Sequence, residues 1–162
     1  MEDTRWLTDE ELEAWTVLIA VTMKLPARLD RQLRRDAGIS HFEYGILSAL
    51  SEAPDRTLRM SELAGMSNGT LSRLSHAVTR LESRRWVRRA PCPDDGRLTE
   101  ATLTDEGWRK VLATSPGHVA EARRLVVDAL SPGELAGLAA IGRRVLDRVD
   151  PGGAWPPARP SD

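Results

Sequence analysis

The chain has little of what most chemistries need. Among its 162 residues there is one cysteine, Cys92, so an intramolecular disulfide and a multi-cysteine zinc site are both excluded, and a reducing cytoplasm is the expected compartment. Three histidines are scattered, and there is no His-Glu-x-x-His, no Gly-x-Ser-x-Gly and no glycine-rich phosphate loop. No catalytic set, metal site or cofactor site follows from such a sequence, and an enzyme is not expected. The longest uninterrupted apolar run, Val17 to Val21, falls far short of the roughly 20 residues that span a bilayer. Glu2 and Asp3 give the N-terminus the wrong sign for a secretory signal. Neither membrane insertion nor export is expected. Lysine is scarce, at 2 against 21 arginines, a bias that a GC-rich genome explains as well as function does. Excess charge is also missing: 23 basic and 24 acidic residues leave a net charge of -1.

What is present is a globular composition, 41% hydrophobic and 29% charged, sufficient for a sizeable core in a chain of this length. The near-neutral total conceals a segregation of charge. Residues 1–55 carry 6 basic and 11 acidic side chains, residues 56–97 carry 9 and 4, and residues 98–162 carry 8 and 9. The middle segment is a basic island holding Arg56, Arg59, Arg73, Arg80, Arg84, Arg85, Arg88, Arg89 and Arg97. Such an island is either a solvated face with salt bridges or the footprint of a phosphate-binding surface.

Apolar periodicity sets out a mainly α chain. Thr8 caps a long first helix that runs to about Arg35, with Gly38 as its stop and Pro26 expected to kink or divide it. Ser40 and Glu43 form a capping box for a second helix ended by Pro54. Leu58–Met60 suits a short strand and Ser61–Met66 a short helix. After the Asn68-Gly69 turn, Thr70 caps a helix with Leu71, Leu74, Val78 and Leu81 on its apolar side and Ser72, Arg73, Ser75, His76, Thr79 and Arg80 on the other. That is a helix-turn-helix sequence. Strand-like Trp86–Arg89 and Leu98–Leu103 flank a loop, Pro91 to Arg97, whose Asp95-Gly96 signals a hairpin with an exposed tip, and so a wing. Thr104 opens a further helix that Ser115-Pro116-Gly117 is expected to interrupt or bend, and Ser131-Pro132-Gly133-Glu134 starts the last one. The expected divisions are an N-terminal helix at 1–37, a winged helix-turn-helix domain at 38–103, C-terminal helices at 104–150 and a proline-rich disordered tail at 151–162.

This order of elements resembles the multiple-antibiotic-resistance regulator (MarR) family of bacterial transcription factors. The family's most specific mark, Asp-x-Arg, five residues, then Leu-Thr, stands ungapped as Asp95-Gly96-Arg97, Leu98 to Thr102, and Leu103-Thr104, followed by the family's glycine at Gly107. Leu63-Ala64 and Arg80-Leu81-Glu82 supply a second mark. The likeness covers about residues 10–149. It departs from the pattern where Arg85 stands in place of a glycine and Trp86 in place of a small or aliphatic residue.

The resemblance implies a winged helix-turn-helix domain joined to a helical dimerisation domain, in a cytoplasmic homodimer that binds double-stranded DNA. The first helix and the last two would interlock with a second copy, and their apolar side chains independently ask for a partner surface. Two recognition helices would then sit in successive major grooves roughly 34 Å apart on a pseudo-palindromic operator. Ser72, Arg73, Ser75 and His76 are the expected base readers, with Arg73 suited to guanine O6 and N7. Thr70 and Arg80 are the expected phosphate contacts, and of Arg88 and Arg89, which alternate faces on a strand, Arg88 is the one expected to face DNA. Arg97 is expected in the minor groove, and by resemblance Asp95 orients an arginine of the wing or recognition helix. The family commonly represses transcription until a small aromatic or phenolic effector binds between lobe and dimerisation helices. Trp15, His41, Tyr44 and His118 are the candidates to border such a pocket here, although core packing or capping suits each of them alone. Cys92 lies away from the first helix, where peroxide-sensing relatives carry their thiol, and an inert exposed thiol is expected. The competing function is a winged helix used for protein assembly without DNA, which would keep the fold and lose the basic face.

Overall fold

The computed structural model describes residues 4–66, 70–93 and 95–153. Along them run α1 (Asp9–Ala37), α2 (His41–Glu52), β1 (Thr57–Arg59), α3 (Met60–Met66), α4 (Leu71–Ser83), β2 (Val87–Pro91), β3 (Thr99–Leu103), α5 (Asp105–Leu125) and α6 (Pro132–Val149), with 3-10 turns at Pro54–Arg56 and Val127–Ala129. The expected Asn68-Gly69 turn, and the tail from residue 154 onward, lie outside the described residues, as does Asp94. The chain is thus mainly helical with one small sheet.

Helix starts are written in the sequence and obeyed. Capping boxes close on Thr8 with Glu11, Ser40 with Glu43, and Ser131 with Glu134, and Thr70 and Thr104 cap α4 and α5. Each such cap satisfies amide groups that the first turn leaves without partners, at about 1 kcal/mol apiece. The two internal prolines leave their helices undivided. Pro26 does not divide α1 and Pro116 does not interrupt α5; both helices run through. Each proline removes one backbone donor, and both are exposed, so the carbonyls left over, those of Thr22 and Leu112, belong to solvent-facing stretches of helix where water can replace the lost bond.

The three strands form an antiparallel sheet in the order β1-β3-β2, with Leu58 opposite Ala101 and Arg89 opposite the same residue from the other side. The core gathers Leu33 from the end of α1, Ile46, Leu47 and Leu50 from α2, Leu63 from α3, Leu74, Val78 and Leu81 from α4, Val87, Ala101 and Leu103 from the sheet, and Val111 from α5. It therefore belongs to the middle of the chain. Before Gln32 no described residue of α1 is buried, and α6, which leaves the α5 direction at 103°, has no buried residue at all. Trp15, Val21, Leu112, Val119, Ile141 and Val145 are all exposed instead. No single helix among the described residues is long and apolar enough to cross a membrane.

Arg85 and Trp86 lie at the junction of α4 with β2. Arg85 takes a left-handed conformation (φ 59°), while Arg85 N–H donates to Glu82 O at 2.8 Å and Trp86 N–H to Leu81 O at 3.0 Å. These are the two bonds of a Schellman helix end, where glycine is the unstrained residue. Gly107 lies against the same junction: a Cβ there would stand 2.1 Å from the Trp86 carbonyl oxygen and 2.6 Å from Leu103. Gly107→Ala should therefore lower stability by about 2 kcal/mol or more, through overpacking against backbone that cannot retreat. Arg85→Gly should raise it by up to about 1 kcal/mol, the relieved left-handed strain less the extra flexibility of glycine in the unfolded chain. Thermal denaturation of both variants checks the pair, and a Gly107→Ala protein as stable as wild type would contradict the close approach.

Candidate nucleic-acid interface

Helix α4 turns one face inward through Leu74, Ala77, Val78 and Leu81 and leaves Thr70, Ser72, Arg73, His76, Thr79 and Arg80 exposed. The Thr70 hydroxyl accepts from Arg73 N–H at 3.2 Å. The Arg73 guanidinium lies 4.3 Å over the Phe42 ring, which pre-places it beside the helix start. Leu71, assigned by its spacing to the apolar side with Leu74, is 59% exposed; its position in the first turn carries it past the edge of the core.

Two ion pairs lock α4 to its neighbours. Arg89 on β2 donates from Nε to Glu82 at 2.8 Å, from Nη2 to the Thr79 hydroxyl at 3.0 Å and from Nη1 to the Ser75 hydroxyl at 3.3 Å, while its backbone N–H reaches Glu82 at 2.9 Å. Burial alone would raise the Glu82 carboxyl, but these bonds hold it below the usual carboxylate range. Ser75 is accordingly half-buried and serves the wing strand. Arg88, one residue earlier, is exposed, so of the two adjacent arginines one braces the helix and the other faces solvent. On the opposite side Arg80 Nε donates to Glu43 at 2.8 Å. Glu43 is buried, and burial pushes its carboxyl up, yet the Ser40 amide and hydroxyl and Arg80 together hold it low. The cap residue of α2 thereby fixes the middle of α4.

In the wing, Asp95 accepts from Arg97 at Nε (3.0 Å), Nη2 (3.1 Å) and the backbone amide (3.1 Å). The pair holds the Asp95 carboxyl low, and Arg97 stays 90% exposed with one edge of its guanidinium clasped and the rest presented outward. Cys92 corrects an expectation: it is buried, at 3% exposure. Cys92 N–H donates to Leu98 O and Leu98 N–H to Asp95 O.

The candidate effector residues do not all meet. His118 on α5 packs against Tyr44 (ring centres 4.6 Å apart) and His41 (5.9 Å), its Nδ1 lies 3.3 Å from Gln32 Oε1, and the Tyr44 hydroxyl lies 3.1 Å from that of Ser115. Trp15 stands apart and exposed, about 25 Å along α1 from Gln32 at 1.5 Å per residue. His41 also borders two hollows. One, of about 270 Å³, lies between Phe42, Ile46, Leu63 and Met66. The other is an open cleft of about 990 Å³ between α1 and α4, lined by Asp30, Arg34, Arg73, His76 and Arg80. Sequence reading missed the partners of this face: Glu82, Glu43 and Phe42. Only Glu82 had a signal, its place in Arg80-Leu81-Glu82.

Comparison with known proteins agrees with this geometry. Residues 37–98 match the sequence model of the MarR family. Sco3205 of Streptomyces coelicolor, a MarR family transcriptional regulator solved in complex with DNA, is 47% identical over 94% of this chain and 95% of its own, with a TM-score of 0.88. AbsC of the same organism, also a MarR family transcriptional regulator, is 37% identical over 90% of this chain and 98% of its own, with a TM-score of 0.84. A mutant of Escherichia coli MarR complexed with operator DNA shares the fold at 22% identity, covering 88% of this chain and 99% of its own, with a TM-score of 0.73. No curated protein matches the sequence.

The histidine stack generates a pH dependence. Burial lowers His41, against the pull of Asp30, and lowers His118, with His41 adding to the effect. A base held neutral in the fold and free to protonate when unfolded contributes stability that is complete above the ordinary histidine pKa of about 6.5 and is lost as pH falls below it. Melting temperature should thus decline between pH 7.5 and 5.5, and His118→Gln should flatten that decline. An equal slope in the variant would contradict the assignment.

Proposed function

The chain belongs to the MarR family of transcriptional regulators and is a DNA-binding transcriptional regulator; on that premise we propose that it works as a homodimer, repressing from a pseudo-palindromic operator until a small aromatic or phenolic effector binds. The observation that carries this reading is the division of the molecule into a self-contained core with a basic face and terminal helices whose apolar faces are bare. An apolar groove of about 860 Å³, lined by Val17, Val21, Leu25, Leu125, Leu130 and Leu138, offers a second copy its seat. Pairing there sets two α4 helices on one side of the particle, spaced for successive major grooves.

Within each half, Ser72, Arg73 and His76 read base edges from α4, and Ser75 supports them through Arg89. Thr70, Arg80 and Arg88 take phosphates, and Arg97 enters the minor groove while Asp95 fixes its orientation. The cleft between α1 and α4 is lined by Arg73, His76 and Arg80 as well as Arg34. An acidic phenol held there engages the same cations as DNA, which ties effector binding to release. A cytoplasmic location and the absence of catalysis complete the reading.

Binding titrations at two salt concentrations, on an operator recovered from a random duplex library and on a scrambled duplex, test it. Arg97→Ala should weaken both duplexes by a similar factor and reduce the salt slope by about one released counterion. Arg73→Ala should relax preference at one base position, at a cost of about 1–3 kcal/mol on the operator. An unchanged salt slope for Arg97→Ala removes the wing from the interface, and no binding by wild type at micromolar protein and low salt favours a protein-assembly role instead.

A further inference from the structure

Among the described residues from α2 through β3, two large apolar side chains are exposed, Leu71 and Leu98. Single exposed leucines are ordinary on protein surfaces, but the placement of these two is not scattered: one opens α4 and the other closes the wing loop. Leu71 is the more exposed, at 59% against 38%. It is the first residue of α4, directly after the Thr70 cap and beside exposed Ser72 and Arg73. Leu74, Val78 and Leu81 fill the core without it, each exposed by 1% or less. Its side chain thus has no evident part in holding the lobe together.

We propose that Leu71 is a specificity-determining residue that reads the C5-methyl group of a thymine in each operator half-site. The major-groove edge of a T·A pair is the one that presents a methyl group, and an aliphatic side chain recognises it by mutual burial with no hydrogen bond. A helix that enters the groove by its N-terminal end brings its first residues nearest the base edges. Leu71 then supplies an apolar contact next to the polar reading of Arg73, which the Phe42 ring holds in place. The inference rests on the proposed entry of α4 into the major groove.

The test uses the full chain and a duplex that it selects from a random library, with each thymine replaced in turn by deoxyuridine, which lacks only the methyl group. Wild type should lose about three- to fivefold in affinity at one thymine per half-site, the worth of one buried methyl. Leu71→Met should keep that sensitivity, whereas Leu71→Ala and Leu71→Gln should bind the two forms of that duplex equally while melting like wild type. Wild-type indifference to every replacement, or a full penalty retained by Leu71→Ala, overturns the proposal. Arg73→Ala, selected on the same library, separates the two levels: a shifted base preference there with no effect at Leu71 leaves α4 in the groove and removes only the methyl contact. No shift for either variant removes α4 itself.

Discussion

At the end of α1 the carbonyls of Ala37 and Gly38 have no further helical turn to satisfy them, and two cations from elsewhere in the chain do so: Lys110 Nζ donates to Ala37 O at 2.7 Å and Arg84 Nη1 to Gly38 O at 3.0 Å. Both cations stack on the Trp86 ring, at 5.2 and 5.0 Å. A positive pair at a helix C-terminus is electrostatically favourable, and the aromatic ring that both cations approach offsets part of their mutual repulsion. From the other side, Asp30 of α1 accepts from the His41 amide at 2.9 Å. Through these contacts the ends of α1, α2, α4 and α5 meet at one joint. Everything that the basic face does depends on it, because the joint carries the orientation of the lobe back to α1 and α5.

Trp86 and Arg85, which stand where the resemblance implies a small or aliphatic residue and a glycine, both belong to this joint. The Trp86 ring is approached by both Lys110 and Arg84, while its carbonyl accepts from Thr104 and abuts Gly107. Arg85 accepts left-handed strain at the turn that aims Trp86 there. The same economy of contacts rules the reading face. Arg89 and Glu43 spend their charges on bracing α4, which leaves Arg73, Arg88 and Arg97 as the cations free of such duty among those nominated for DNA. A chain of net charge -1 can therefore present a basic surface, because the acidic residues of 1–55 and 98–162 lie mostly on other elements.

Legibility in the sequence followed the range of the interactions. Capping boxes at Ser40 and Ser131, the stop at Gly38 and the buried stripe Leu74, Val78, Leu81 are local patterns of three or four residues, and all of them stand in the fold. What periodicity and spacing could not show are contacts between distant segments: Arg80 with Glu43, Lys110 with Ala37, His118 with Tyr44. The exposure of Leu71 and the burial of Cys92 differ from their local patterns for a related reason. Helical spacing says which side a residue faces but not where the core ends, and flanking prolines say that a loop turns but not which of its side chains is buried. Pro26 and Pro116 leave α1 and α5 undivided, each at an exposed stretch where water can replace the lost backbone bond.

The proposed working particle follows from the same structure: a lobe that closes its own core, carried on helices that do not. Trp15, Val21, Ile141 and Val145 remain exposed in one chain, and in the proposed homodimer a second copy would cover them and set the distance between two reading helices. Sedimentation equilibrium of the free protein and of the protein on a single operator duplex measures this most directly. The account predicts a particle of twice the 17.9 kDa chain mass at micromolar concentration, and two chains on each duplex. A monomer that binds the operator with full affinity as a single chain would contradict it.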